Sequence, residues 1–159
     1  MRKYGLIGKN IDYSFSKAYF SKKFEKYNID ASYVNFDIDD ISKIKEIIKK
    51  EKDLCGLNVT IPYKQSVVDF LDNIDDNAKS IGAVNTIKFD NGKLIGYNTD
   101  AYGFIKSLFP LLEKQHQKAL VLGSGGASKA VCSGLKSFDI DYRIVSRSAK
   151  NDLQITYDQ

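Results

Sequence analysis

Apolar positions along this chain follow two alternating rhythms. Short runs of β-branched and large apolar residues read as strands, and stretches with helical spacing read as amphipathic helices. Lys3–Ile7, Ser32–Phe36 and Leu54–Val59 are of the first kind. Ser16–Tyr27 is of the second, with Tyr19, Phe20, Phe24 and Tyr27 on one face. So is Asp40–Lys50, whose Ile41, Ile44, Ile47 and Ile48 form a stripe behind a cap at Asp39 or Asp40. Val59 and Ile61 suit a buried strand. A helix is predicted from about Tyr63 to Phe70, with Pro62 placed to open it, because the N–H that proline lacks is unpartnered there in any helix. Asp75–Ile81 reads as a short helix. Ala83–Lys88 and Lys93–Tyr97 flank Asp90-Asn91-Gly92, a hairpin signal. Tyr102–Leu112 is helical and leads into polar Glu113–Lys118, an interdomain connection.

A second unit follows. Lys118–Leu122 is a strand, Gly123-Ser124-Gly125-Gly126-Ala127-Ser128 a glycine loop, Ala127–Phe138 a helix and Tyr142–Ser146 a strand. The order βαβα and then βαβ predicts an α/β fold with mostly parallel sheet and right-handed crossovers. The expected organisation is a substrate-binding domain over 1–101, a connecting helix and linker over 102–117, and part of a Rossmann-like domain over 118–159.

Composition narrows the function. Hydrophobic residues are 43% and charged residues 28%, as for a globular protein. The net charge of +4 is mild, and the lysines around Lys43–Lys50 alternate with acids. That is a solvated helix face rather than a nucleic-acid stripe. No apolar run is long enough to span a bilayer, and Met1-Arg2-Lys3 leads straight into a strand without a signal-peptide core. Cys55 and Cys132 lie in apolar contexts without metal-ligand spacing, so reduced thiols, a cytoplasmic location and no metal site are expected. His116 is the single histidine, which argues against a histidine triad or multi-histidine zinc site and reads as a surface residue.

A glycine loop between strand and helix lets backbone N–H groups meet a pyrophosphate at the positive helix end. Here the pattern is Gly-x-Gly-Gly-Ala-Ser, with Ser128 in place of the third glycine of the usual fingerprint. The next strand ends in Ser146-Arg147-Ser148-Ala149-Lys150, with no acid before Asp152. An acid there favours NAD, whereas a basic residue accommodates the 2′-phosphate of NADP, so NADP is the expected cofactor. From Lys118 onward the chain has 42 residues (159 − 117). One βαβ unit needs about 30 or more, and a whole dinucleotide domain needs two larger halves. The expectation is a complete first domain joined to a partial second one.

Four polar segments fall at or just past predicted strand ends: Ser14-Phe15-Ser16, Asn58-Val59-Thr60-Ile61-Pro62-Tyr63-Lys64, Ala83-Val84-Asn85-Thr86 and Asn98-Thr99-Asp100. Such ends converge on one crevice in a parallel sheet. Hydroxyls, amides, one lysine and one aspartate suit a small polyhydroxylated acid, and lysine with aspartate can move a hydroxyl proton while hydride leaves its carbon. Each residue also has a local reading: Ser14 and Ser16 as helix caps, Asn58 and Asn85 as loop brackets, Asp100 as a cap, Lys64 as a solvated first-turn residue.

With these motifs the sequence resembles the shikimate dehydrogenase family over essentially its whole length, from Tyr4-Gly5-Leu6-Ile7-Gly8 through the glycine loop to Ser146-Arg147-Ser148. The resemblance implies NADP-dependent, reversible interconversion of 3-dehydroshikimate and shikimate on the route to chorismate and the aromatic amino acids. It implies that Ser14 and Ser16 hold the substrate carboxylate and that Asn58, Thr60, Asn85 and Asp100 bind ring hydroxyls. Lys64 would touch substrate as the acid/base, with Asp100 as partner. Gly123, Ser124, Gly125, Gly126 and Ala127 would cradle the pyrophosphate, and Ser146, Arg147 and Ser148 the adenosine 2′-phosphate. A homodimer is compatible with the resemblance.

The family usually has Asn-Arg-Thr at 146–148 and a proline at the position of Lys17. Its later nicotinamide segment and C-terminal helices, which pack back on the first domain, have no counterpart here, so exposed apolar surface is expected and the 159-residue chain alone is expected to be inactive. Two alternatives differ in kind: a quinate/shikimate enzyme using NAD, against which the missing acid speaks, and a non-catalytic substrate-binding module.

Overall fold

The computed structural model describes residues 1–159 and contains two sheets. The first has six strands in the order β2-β1-β3-β5-β6-β4. They are β1 (Arg2–Gly8), β2 (Ala31–Asp37), β3 (Leu54–Val59), β4 (Asn73–Ile74), β5 (Thr86–Asp90) and β6 (Lys93–Tyr97). β1 pairs in parallel with β2 and β3, and β4 with β6. β5 runs antiparallel to both β3 and β6. The C-terminal ends of β1, β3 and β6 and the N-terminal start of β5 therefore share one edge of the sheet.

Helices cover both faces. α1 (Ser16–Lys26) lies on one, where Phe20 stacks on Tyr33 at 4.6 Å beside Leu6 and Ile11. α2 (Ile44–Lys50) lies on the other, over a core built from Ile7, Leu57, Val59, Val84 and Ile87. Ile7 has no exposed surface, so Ile7→Val should cost about 0.5–1.5 kcal/mol, read as a lower denaturation midpoint at unchanged slope. Gly8 marks a close crossing, because a Cβ there would stand 2.6 Å from Thr60 Cγ2 and 2.5 Å from Ile11 Cγ2.

α3 (Asp76–Ile81) is capped by Asp75, whose carboxylate accepts from the N–H groups of Asn77 and Ala78, and ends at Gly82 with φ +70°. α4 (Asp100–Leu108) leads to the second sheet, β7 (Lys118–Leu122), β8 (Asp141–Val145) and β9 (Gln154–Ile155), in that order and parallel. α5 (Gly126–Lys136) crosses from β7 to β8.

Several elements differ from the sequence expectation. No helix starts at Pro62. Residues 61–65 form a turn and Ser66–Phe70 a 3-10 helix, and the Ile61–Pro62 peptide is cis. The reason lies in the backbone: the Lys64 carbonyl, which a helix would give to residue 68, accepts from Val84 N–H at 2.7 Å. β3 stops at Val59, and Ile61 is exposed rather than buried. The Asp40–Lys50 helix splits into a 3-10 turn, Ile41–Lys43, and α2, with the Asp40 carboxylate accepting from Ser42 N–H at 2.7 Å. β4 and β9 are two-residue strands too short to show a period.

The helical part of the stretch 102–117 packs on the second unit. α4 begins at Asp100, inside the expected first domain, and packs Phe104 and Leu108 against the Val121, Cys132 and Leu135 cluster of the second unit. Apolar surface is exposed in two places. A groove of about 450 Å³ runs beside α1, lined by Tyr4, Phe20, Phe24, Leu57 and Ile87, while Leu120 and Leu122 of β7 are 65% and 72% exposed.

Candidate active site

The shared edge of the first sheet carries a connected polar cluster. Lys64 comes from the turn after β3, Asn85 from the start of β5, and Asp100 from the first turn of α4 after β6. Lys64 Nζ donates to Asp100 Oδ2 at 2.6 Å. Asn85 Nδ2 donates to the other carboxylate oxygen at 2.7 Å and to Thr99 Oγ1 at 2.9 Å. Its own oxygen accepts from Thr86 Oγ1 and Thr99 N–H. Both ends of the buried Asn85 amide are thus committed, and Asp100 is held from two sides.

Asp100 is free of capping duty. Asn98 takes it instead: its Oδ1 accepts from the N–H groups of Asp100 and Ala101, at 3.0 and 3.2 Å, and its Nδ2 donates to the Ala83 carbonyl. The Lys64 and Asp100 side chains retain 15% and 32% exposure, so a small molecule has access to an ion pair that is otherwise enclosed.

Asn58 sits one strand away. Its Oδ1 accepts from Tyr33 Oη at 2.9 Å, and its Nδ2 reaches Thr86 Oγ1 at 3.4 Å. Burial pushes the Tyr33 phenol well above its ordinary pKa, which keeps it a neutral donor to Asn58. Thr60 lies beside Gly8 at the end of β3. Ser14 and Ser16 occupy the loop after β1 at the same sheet edge. Ser14 Oγ accepts from the N–H of Ser16, the first residue of α1, at 3.3 Å, which is its local capping contact. Neither serine is hydrogen-bonded to the lysine–aspartate cluster.

The glycine loop stands at the N-terminus of α5. Gly123 has φ +103°, and a Cβ on Gly125 would meet nothing within 4 Å, so the backbone there is open to a ligand. Ser128 Oγ donates to the Gly125 carbonyl at 2.7 Å, which fixes the loop from within. The loop reaches the cluster, since Gly126 packs against the Lys64 side chain. At the end of β8, Ser146 is buried with its hydroxyl donating to the Ser148 carbonyl at 2.7 Å, whereas Arg147 and Ser148 are exposed. An open, glycine-built helix N-terminus with an exposed arginine beyond the next strand fits a phosphorylated dinucleotide.

Tyr33, Thr86 and Thr99 were not singled out from the sequence. Tyr33 carries no local signal, because it meets Asn58 across the sheet. Thr86 and Thr99 each adjoin a residue that was chosen. Cys55 and Cys132 are free thiols, His116 is exposed, and no group of three or more histidine, cysteine or acidic side chains converges as a metal site. No helix is long and apolar enough to cross a membrane.

The two α/β units meet at the lysine–aspartate pair beside the glycine loop. Residues 6–87 match the family model described as the shikimate dehydrogenase substrate binding domain. A shikimate dehydrogenase (NADP(+)) of Aquifex aeolicus is 44% identical over 135 residues, which are 83% of this chain and 50% of that protein. The crystal structure of shikimate dehydrogenase 1 from Peptoclostridium difficile superposes with a TM-score of 0.88 at 37% identity, covering 99% of this chain and 61% of that one. The shikimate 5-dehydrogenase of Thermus thermophilus in complex with NADP(H) and shikimate gives 0.82 at 30% identity, covering 93% and 57%. The chain belongs to the shikimate dehydrogenase family. It spans about half the length of the curated relatives it matches.

Proposed function

We propose that this chain carries the substrate site and part of the cofactor site of an NADP-dependent shikimate dehydrogenase, which reversibly reduces 3-dehydroshikimate to shikimate. The observation that carries the reading is the Lys64–Asp100 ion pair at 2.6 Å, placed against the glycine loop at the sheet edge. NADP(H), when bound, supplies or accepts the hydride.

The chain's own residues handle the proton. In the oxidation direction Lys64 takes the proton of the reacting hydroxyl as its neutral amine. In the reduction direction its ammonium returns that proton to the carbonyl oxygen. Asp100, fixed by Asn85, accepts from the Lys64 amine and keeps it aimed at that hydroxyl. Asn58 and Thr60 bind ring hydroxyls, and Asn85 acts at the ring edge and chiefly through Asp100. Ser14 and Ser16 hold the carboxylate from the loop after β1. Gly123 to Ala127, Ser124 included, cradle the pyrophosphate. Arg147 and Ser148 bind the 2′-phosphate, and the buried Ser146 shapes that turn. A cytoplasmic location completes this reading.

A steady-state assay of the full-length polypeptide with shikimate and quinate, each against NADP and NAD, tests it by nicotinamide absorbance. Shikimate with NADP is expected to give by far the largest kcat/KM. Turnover of quinate with NAD as the preferred pair would refute the assignment.

A further inference from the structure

The glycines of the loop face three different surroundings. Gly123 is in the left-handed region, where side chains are strained. Gly125 has φ −80° and open space beside it. Gly126 fits neither description. It is the first residue of α5, and it is not among the glycines with positive φ. Alanine would favour the helix by up to about 1 kcal/mol. A Cβ on Gly126 would nevertheless stand 2.8 Å from Lys64 Cβ, with Lys64 Cδ and Cγ at 3.5 and 3.6 Å. The obstacle is the root of the lysine side chain, whose backbone is tied to Val84, so it cannot swing aside as a flexible tip would.

The same face of α5 is anchored to the first domain one turn further on, since positions 126, 129 and 130 are helical neighbours. Ala130 is 1% exposed and packs with Ile81, Ala83 and Ala101. Lys129 Nζ donates to the Gly82 carbonyl at 3.3 Å, at the C-terminus of α3. Ala83 and Ala101 flank the segments that carry Asn85 and Asp100. The loop therefore lies against the segments that carry the cluster.

We propose that Gly126 is a positioning residue for Lys64: the bare backbone of the loop is the wall against which the lysine stem rests, and it keeps the amine on Asp100. This rests on the proton-transfer role proposed for Lys64 and adds to it. One glycine of the dinucleotide loop thus serves the acid/base as well as the pyrophosphate.

Gly126→Ala and Gly125→Ala, compared in the full-length polypeptide, separate these duties. Without cofactor, acylation of Lys64 by a soluble amine-reactive ester, read by peptide mapping, is expected to quicken several-fold in Gly126→Ala and to stay unchanged in Gly125→Ala. In turnover, Gly126→Ala should lower kcat about 10- to 100-fold, as misplacement of a reacting group does, with a smaller loss of NADP affinity than in Gly125→Ala. Gly125→Ala should instead weaken NADP binding. In a Lys64→Ala background Gly126→Ala should add no further loss. Unchanged Lys64 acylation, or a kcat loss that persists in full without the lysine, would overturn the proposal. Quickened acylation together with normal turnover of Lys64→Ala would support the contact and refute the proposed chemistry of Lys64 instead.

Discussion

Lys64→Ala and Asp100→Ala should each lower kcat for shikimate oxidation by about 10²–10⁴-fold, the usual contribution of a general acid/base group, while the far-ultraviolet spectrum stays that of the parent. The two residues act as a unit. Lys64 donates to one carboxylate oxygen at 2.6 Å, and Asn85 donates to the other at 2.7 Å. Removing the lysine leaves no other amine in this cluster. Removing the aspartate leaves the amine without the group that aims it. The effects should therefore be far from additive, and the double variant should be little worse than Lys64→Ala. Both side chains sit at the surface of the cluster rather than in the Ile7–Val84 core, so folding should survive. Two single variants with near-parental kcat would remove the chemical basis of the proposal.

Arg147→Ala should weaken NADP binding by about 10- to 150-fold, from the roughly 1.5–3 kcal/mol of charge-assisted hydrogen bonds to a phosphate, with little change for NAD. Arg147 is exposed at the end of β8 and enters none of the ion pairs of the protein, so its guanidinium has no internal duty to lose. Its neighbour Ser146 contrasts with it, being buried and turned onto the Ser148 carbonyl. Fluorescence titration with both nicotinamide cofactors reads the ratio. Equal losses for NADP and NAD would refute the 2′-phosphate role.

Legibility in the sequence depended on range. Leu54–Val59, Lys93–Tyr97 and Lys118–Leu122 match β3, β6 and β7 residue for residue, because each is a short apolar run bounded by polar or turn residues. The turn at 61–65 was illegible for the opposite reason. Pro62 is a sound local signal for a helix start, but a single non-local hydrogen bond, Val84 N–H to the Lys64 carbonyl, overrides it. The antiparallel pairing of β5 with β3 was likewise not visible, being decided across the sheet, whereas the β5–β6 hairpin was.

The polar segments could be chosen because their residues are chemically unusual at strand ends. Which of them touch could not be. Lys64, Asn85 and Asp100 converge, whereas Ser14 and Ser16 stand apart from that network. Asp100 escaped its capping alternative only because Asn98, two residues earlier, caps the helix instead. The contact of Gly126 with Lys64 joins positions far apart in the chain, and no motif announces it.

The crystal structure of the complex with shikimate tests the central claim most directly. The reacting ring hydroxyl is predicted within hydrogen-bonding distance of both Lys64 Nζ and the Asp100 carboxylate, with the substrate carboxylate on Ser14 and Ser16. Shikimate bound away from that edge, or with its ring hydroxyls out of reach of Lys64 and Asp100, would contradict it.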